Sequence, residues 1–222
     1  MTERGATAGG RGRVMDVLTL VLLAAAVWVS CLPGSRVRVE VERMLKERHS
    51  LAATRANWTA LLQASSPLSA NASAPTIVEF ADYECPFCRS SFGAVDSAPT
   101  LGVRVVYVNY PIKSHLHAYG AALAAVCADA QGRFAEMHRQ LMTTTEWLSD
   151  TNWIRQARVA GVRSIDEFQR CLQSEAARER LRAQRALADA IGVDGTPYFV
   201  NGRAAHRGAV TVATLDSLAR TR

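Results

Sequence analysis

VEFADYECPFCRSSFG, Val78 to Gly93, decides how the rest of the chain is read. Thr76 to Ala81 is a short β-prone run, and two cysteines separated by two residues follow close behind it. Proline at position 86 suits the first residue of a helix, where no N–H is needed and a fixed φ is an advantage. The spacing therefore predicts a strand and then a helix from Cys85 to about Ala98, with Cys85 at the cap and Cys88 one turn in. A capping sulfur faces unsatisfied N–H groups and the positive end of the helix, which favour its thiolate. On the residues alone three readings stand open: a redox pair, a metal clip, or two inert buried thiols. Zinc wants a second half-site. No second C-x-x-C exists, and His115 and His117 follow a strand at a spacing shorter than a ligand pair normally has.

Working outward, VRVVYVNYP, Val103 to Pro111, is a β-branched and aromatic run that reads as a buried strand. Strand, helix, strand favours a parallel pair with a right-handed crossover. After Pro111 the pattern turns helical: Ala118–Ala130, Phe134–Met142, Trp153–Val159, Ile165–Leu172 and Glu175–Ile191, punctuated by Gly132, Gly161 and Gly192. Ser164 with Glu167 makes a capping box. TPYFVNGRAAHRG returns to β, with Asn201-Gly202 as a hairpin turn, and Thr211–Arg220 closes the chain as a helix.

Three motifs and their order carry a resemblance. VEFADYECPFC, HAYGAALAAVCADAQGRFAEMHRQLM and AIGVDGTPYFVNG resemble the active-site strand, the inserted helical domain and the proline loop of the DsbA-like branch of the thioredoxin superfamily. The resemblance covers residues 76–222. It implies an α/β thioredoxin-like fold with a helical insertion at about 112–191. It implies Cys85 as nucleophile, Cys88 as resolving thiol, and Glu79 as a buried carboxylate that moves a proton to and from the buried thiol. The bland reading of Glu79 is a strand residue facing solvent. The resemblance also implies a cis Pro197, with Thr196 pairing to an extended client segment beside Pro86 and Phe87, and a structural disulfide between Cys127 and Cys171. Such a bond closes a loop of about 44 residues, and the chain-entropy model values it at ~4 kcal/mol. Two buried free thiols are its alternative. No cofactor or metal is implied. Phe87 stands where the most oxidising relatives carry histidine, so the direction of net redox flow is open.

The first third of the chain is different. Met1–Asp16 is Gly- and Arg-rich without periodicity and reads as disordered. Val17–Leu32 contains no charge and spans about 24 Å as a helix, close to a hydrocarbon core. It reads as an uncleaved anchor. A cleaved signal or an acylated Cys31 are the alternatives, and Trp28 to Pro33 matches neither processing pattern well. Basic residues after the segment outnumber those before it, which argues against an external domain; an oxidised Cys127–Cys171 pair argues for one. Residues 33–75 read as an amphipathic stalk followed by the Ser/Ala/Pro linker SSPLSANASAP. The net charge of +6 is dispersed, without the clustered footprint of a nucleic-acid binder.

The expectation is a membrane-tethered thiol-disulfide oxidoreductase, acting as an oxidase in the periplasm or cell exterior on cysteine-bearing clients, with a quinone-linked membrane partner to reoxidise it. A reductase or isomerase using the same site is one alternative, although no separate dimerisation domain is visible. A non-catalytic peptide-binding module or metal chaperone is the other. His115, His117, His138 and His206 receive no role.

Overall fold

The computed structural model describes residues 10–31, 35–69 and 71–221. The chain divides into one unit up to Arg48 and another from His49 onward. In the first, α1 runs Gly10–Cys31, and α2, Arg36–Ala56, begins there and continues into the second. The helix thus starts inside the segment expected to be disordered, of which residues 1–9 lie outside the described residues. Val17 to Trp28 of α1 are all exposed. Among the described residues no helix is long and apolar enough to cross a membrane.

The second unit holds α3 (Trp58–Ala64), β1 (Ser66–Pro67), β2 (Thr76–Ala81), α4 (Pro86–Asp96), β3 (Arg104–Asn109), α5 (Ala118–Asp129), α6 (Phe134–Thr143), α7 (Trp153–Val159), α8 (Ile165–Gln173), α9 (Glu175–Ile191), β4 (Tyr198–Val200), β5 (Ala205–Arg207) and α10 (Val212–Arg220). The sheet order is β1-β3-β2-β4-β5. Among the described residues only β2 and β3 pair in parallel, in the register Thr76↔Arg104 to Ala81↔Asn109. Their side chains alternate between two covered faces. Ile77, Val105 and Phe199 pack with Ala94, Val95, Leu215 and Leu218 of α4 and α10. Val78, Phe80, Val106, Val108, Tyr198 and Val200 pack with Leu61 of α3 and Ala188 and Ile191 of α9. Burial on both faces is why β2 and β3 read as near-continuous apolar runs.

The boundary expected at residue 76 is too late. Ser50, Thr54, Leu61 and Ser66 are buried, and Ser50 Oγ lies 2.8 Å from Tyr198 Oη. β1 adds an antiparallel edge to β3 inside the supposed linker. The end of the stalk and the start of the linker therefore belong to the domain. Their polar composition hid this, because only every third or fourth residue faces the sheet.

The insertion wraps around α5, whose residues Ala121 to Ala128 are all buried. Small side chains let neighbours come close: a Cβ on Gly120 would meet the Trp153 ring at 2.7 Å. A disulfide joins Cys127 of α5 to Cys171 of α8. Gly192 ends α9 at φ 82°, a conformation that favours glycine. Only half of the Ser164 capping box forms. Its hydroxyl accepts the Glu167 N–H, while its own N–H donates to Gln131 Oε1. On α9, Arg180 bonds Asp129 of α5 and Ser66 of β1.

Candidate active site

Chain direction places the cysteines. β2 ends at Ala81, three residues turn, and Cys85 caps α4 at φ −68°, ψ 121°, with Pro86 in the first turn. The Cys85 N–H donates to the Asp82 carbonyl at 3.2 Å. Both thiols are free. Cys88 is fully buried, and Cys85 is 3% exposed. The structure covers most of the capping residue, and leaves Phe87 beside it 62% exposed.

The two thiols are pushed in opposite directions. Cys85 falls from 9.0 to about 5, first because the Cys88 thiol donates to it. Burial opposes that, and the Thr196 side chain and the N–H groups of Cys88 and Phe87 add further donors. Cys88 is pushed far above the ordinary thiol range, first by burial and then by the neighbouring Cys85. As a thiol, Cys85 Sγ donates to the Thr196 carbonyl at 3.5 Å. The Thr196 hydroxyl is buried and has no hydrogen-bond partner while Cys85 is a thiol; it becomes a donor once Cys85 is a thiolate. The Thr196–Pro197 peptide is cis.

Glu79 sits on β2 at 1% exposure, not on a solvated face. It is paired with Tyr107 on β3 and Phe199 on β4. Its Oε2 has no partner, and burial lifts its carboxyl from 4.5 to about 8. When ionised it further disfavours a Cys88 thiolate.

Sequence reasoning missed several participants. Asp82 is buried and binds the His115 ring at 2.8 Å, so that histidine has a partner after all. His138 is buried among Tyr83, Phe92, Tyr107 and Phe134, and burial holds its imidazole down at about 3. Its position in register with Phe134 and Leu141 on α6 was a readable signal. Arg89, one residue past Cys88, sends its guanidinium to the carbonyls of Tyr83, Leu141 and Thr144, at 3.4, 2.7 and 2.7 Å. Among the described residues no group of three or more potential metal ligands forms.

Comparison with known proteins places this geometry. The family model described as Thioredoxin matches residues 68–219. A crystal structure of a thioredoxin-like oxidoreductase from Silicibacter pomeroyi DSS-3 is 32% identical, covering 70% of this chain and 90% of that one, with a TM-score of 0.59. The thiol-disulfide exchange protein alpha-DsbA2 from Wolbachia pipientis shares the fold at 18% identity and a TM-score of 0.68, covering 77% and 94%. Among curated proteins, the Na(+)/H(+) antiporter NhaA 1 of Mycobacterium sp. (strain KMS) is 34% identical over 146 residues, 63% of this chain. The chain spans about a quarter of the length of the antiporter relatives it matches.

Proposed function

The chain belongs to the thioredoxin family, and we propose that it is a DsbA-like oxidoreductase whose Cys85–Cys88 pair exchanges disulfides with cysteine-bearing client proteins. The observation that carries this reading is the placement of the two thiols, Cys85 at the cap of α4 and Cys88 fully buried one turn inside, which favours a thiolate at the first and a neutral thiol at the second. The thiolate is the nucleophile in such exchange, and a stabilised thiolate is also the better leaving group.

In the oxidising direction, a client thiolate attacks the Cys85 sulfur of the Cys85–Cys88 disulfide. That S–S bond breaks, and Cys88 leaves and takes up a proton. Glu79, protonated at neutral pH, is the acid for that transfer. A second client thiolate then attacks the client sulfur of the mixed disulfide, and Cys85 leaves as a thiolate. Two electrons pass from client to protein, and one client disulfide forms. The client segment lies along Thr196 and Pro197, against Pro86 and the exposed Phe87. Run in reverse, the same steps reduce a client. The donors to the Cys85 thiolate stabilise the reduced pair, which favours the oxidase direction.

The Cys127–Cys171 bond supports a domain working in the periplasm or outside the cell, where disulfides persist. The uncharged, exposed run Val17 to Trp28 of α1 supports a membrane tether. A quinone-linked membrane protein would reoxidise the pair, a partner the family resemblance suggests. Peptide oxidation by Cys85→Ser tests the chemistry: activity is lost, whereas unchanged turnover would exclude the mechanism. Carbonate washing of membranes tests the tether, which release of the full chain into the soluble fraction would overturn.

A further inference from the structure

One buried side chain touches the main chain around both sulfurs and has no role in the exchange steps above. The Asp82 carboxylate is fully covered. Oδ1 accepts the Glu84 N–H at 2.7 Å. Oδ2 accepts the Ile112 N–H at 2.7 Å and lies 2.8 Å from His115 Nδ1. Its backbone serves the cysteines directly: the Asp82 N–H donates to Cys88 Sγ at 3.5 Å, and its carbonyl accepts the Cys85 N–H at 3.2 Å. Two residues on, Glu84 Oε2 accepts the His117 N–H at 2.7 Å. Two carboxylates therefore clamp the loop of residues 112–117, where the insertion begins, against the loop that carries Cys85.

We propose that Asp82, held by Ile112 and His115, is a positioning residue that fixes the main-chain contacts to Cys85 and Cys88 and thereby sets the redox equilibrium of the pair. The inference rests on the thiol-exchange reading of that pair. A covered carboxylate with three partners at 2.7–2.8 Å has little freedom, and charge-assisted bonds of that length are the strong ones. The backbone it pins holds the donor to Cys88 Sγ. It also holds the start of α4, where the Cys88 thiol donates to the Cys85 thiolate. These contacts stabilise the dithiol form. In the disulfide form neither sulfur is a thiolate, and a disulfide sulfur is a poor acceptor. Loosening the clamp thus raises the free energy of the reduced protein more than that of the oxidised one. A part that merely holds the fold together would raise both alike and leave the equilibrium where it was.

The test is the equilibrium of the pair with reduced and oxidised glutathione in the full chain, read by alkylation, together with titration of the Cys85 thiolate by its ultraviolet absorbance. Asp82→Asn keeps the size but not the acceptor capacity. His115→Ala, at a side chain 25% exposed, removes one partner at low risk to folding, and His115→Gln retains a neutral donor. Asp82→Asn is expected to shift the equilibrium toward the disulfide by about tenfold, the equivalent of one to two hydrogen bonds, and to raise the Cys85 midpoint. His115→Ala shifts it less, and His115→Gln recovers most of that loss. Equal destabilisation of both redox forms, with an unchanged glutathione equilibrium and Cys85 midpoint in Asp82→Asn and His115→Ala, overturns the positioning role alone. Wild-type protein that forms no reversible disulfide with glutathione overturns the exchange reading on which the role depends.

Discussion

Glu79 and Tyr107 stand opposite each other on the parallel strands β2 and β3, both buried, and each has an oxygen without a hydrogen-bond partner. An acid in such surroundings keeps its proton, and burial places its titration at about 8. The consequence is a pH dependence of stability with a definite sign. The unfolded carboxyl has lost its proton well below pH 6.5, while the folded one keeps it until about 8. Between those values the folded state binds the extra proton, so stability falls as pH rises. His138, lowered to about 3, acts only below its ordinary value near 6.5, outside this window. In the disulfide form Glu79 accounts for a loss of about 2 kcal/mol from pH 6.5 to 8. Glu79→Gln flattens that slope in denaturant melts of the oxidised protein. A slope that survives the substitution would show that the carboxyl ionises normally. In the dithiol form Cys85, lowered to about 5, contributes the opposite slope over the same window, so the reduced protein loses less.

Phe87 is a second place where the chemistry can be moved. It lies between the cysteines in the first turn of α4 and is largely exposed, so replacing it sacrifices little packing. Phe87→His adds an imidazolium next to the Cys85 thiolate. The Cys85 midpoint then drops below its present value, and the glutathione equilibrium moves toward the dithiol by about three- to tenfold. Titration of the thiolate checks this. An unmoved midpoint would mean that residue 87 does not sense the sulfur.

The Cys127–Cys171 bond links residues 44 apart on α5 and α8. Breaking it releases loop entropy in the unfolded chain, and Cys127→Ala with Cys171→Ala is expected to cost about 4 kcal/mol. Thermal melting registers that loss. Thiol exchange measured well below the melting transition persists, because the exchange steps run on Cys85 and Cys88 of the α4 start and use neither of these sulfurs. A variant that melts like the wild type would show that packing around α5 already holds the insertion together.

The strand-helix-strand opening of the domain was legible because each element announces itself locally: β-branched runs for β2 and β3, proline after the capping cysteine for α4. The helices of the insertion followed from 3.6-residue periodicity and glycine stops, and α7 and α9 fall where that pattern placed them. What local pattern does not encode is who meets whom. Asp82 and His115 are 33 residues apart, and Arg89 reaches carbonyls 52 and 55 residues away. These partnerships follow from the crossover, not from spacing. Two residues of edge strand at Ser66–Pro67 carry no periodicity to read. The near-complete covering of Cys85 was illegible for the same reason, since it depends on residues such as Thr196, more than a hundred positions downstream.

Arg89 makes the redox helix and the insertion one mechanical body. Its guanidinium is spread over three main-chain oxygens and lies over the Trp147 ring at 5.9 Å, so it grips backbone where a side chain could yield. Through it, the end of α6 and the residue that follows are tied to α4 one residue beyond the buried sulfur.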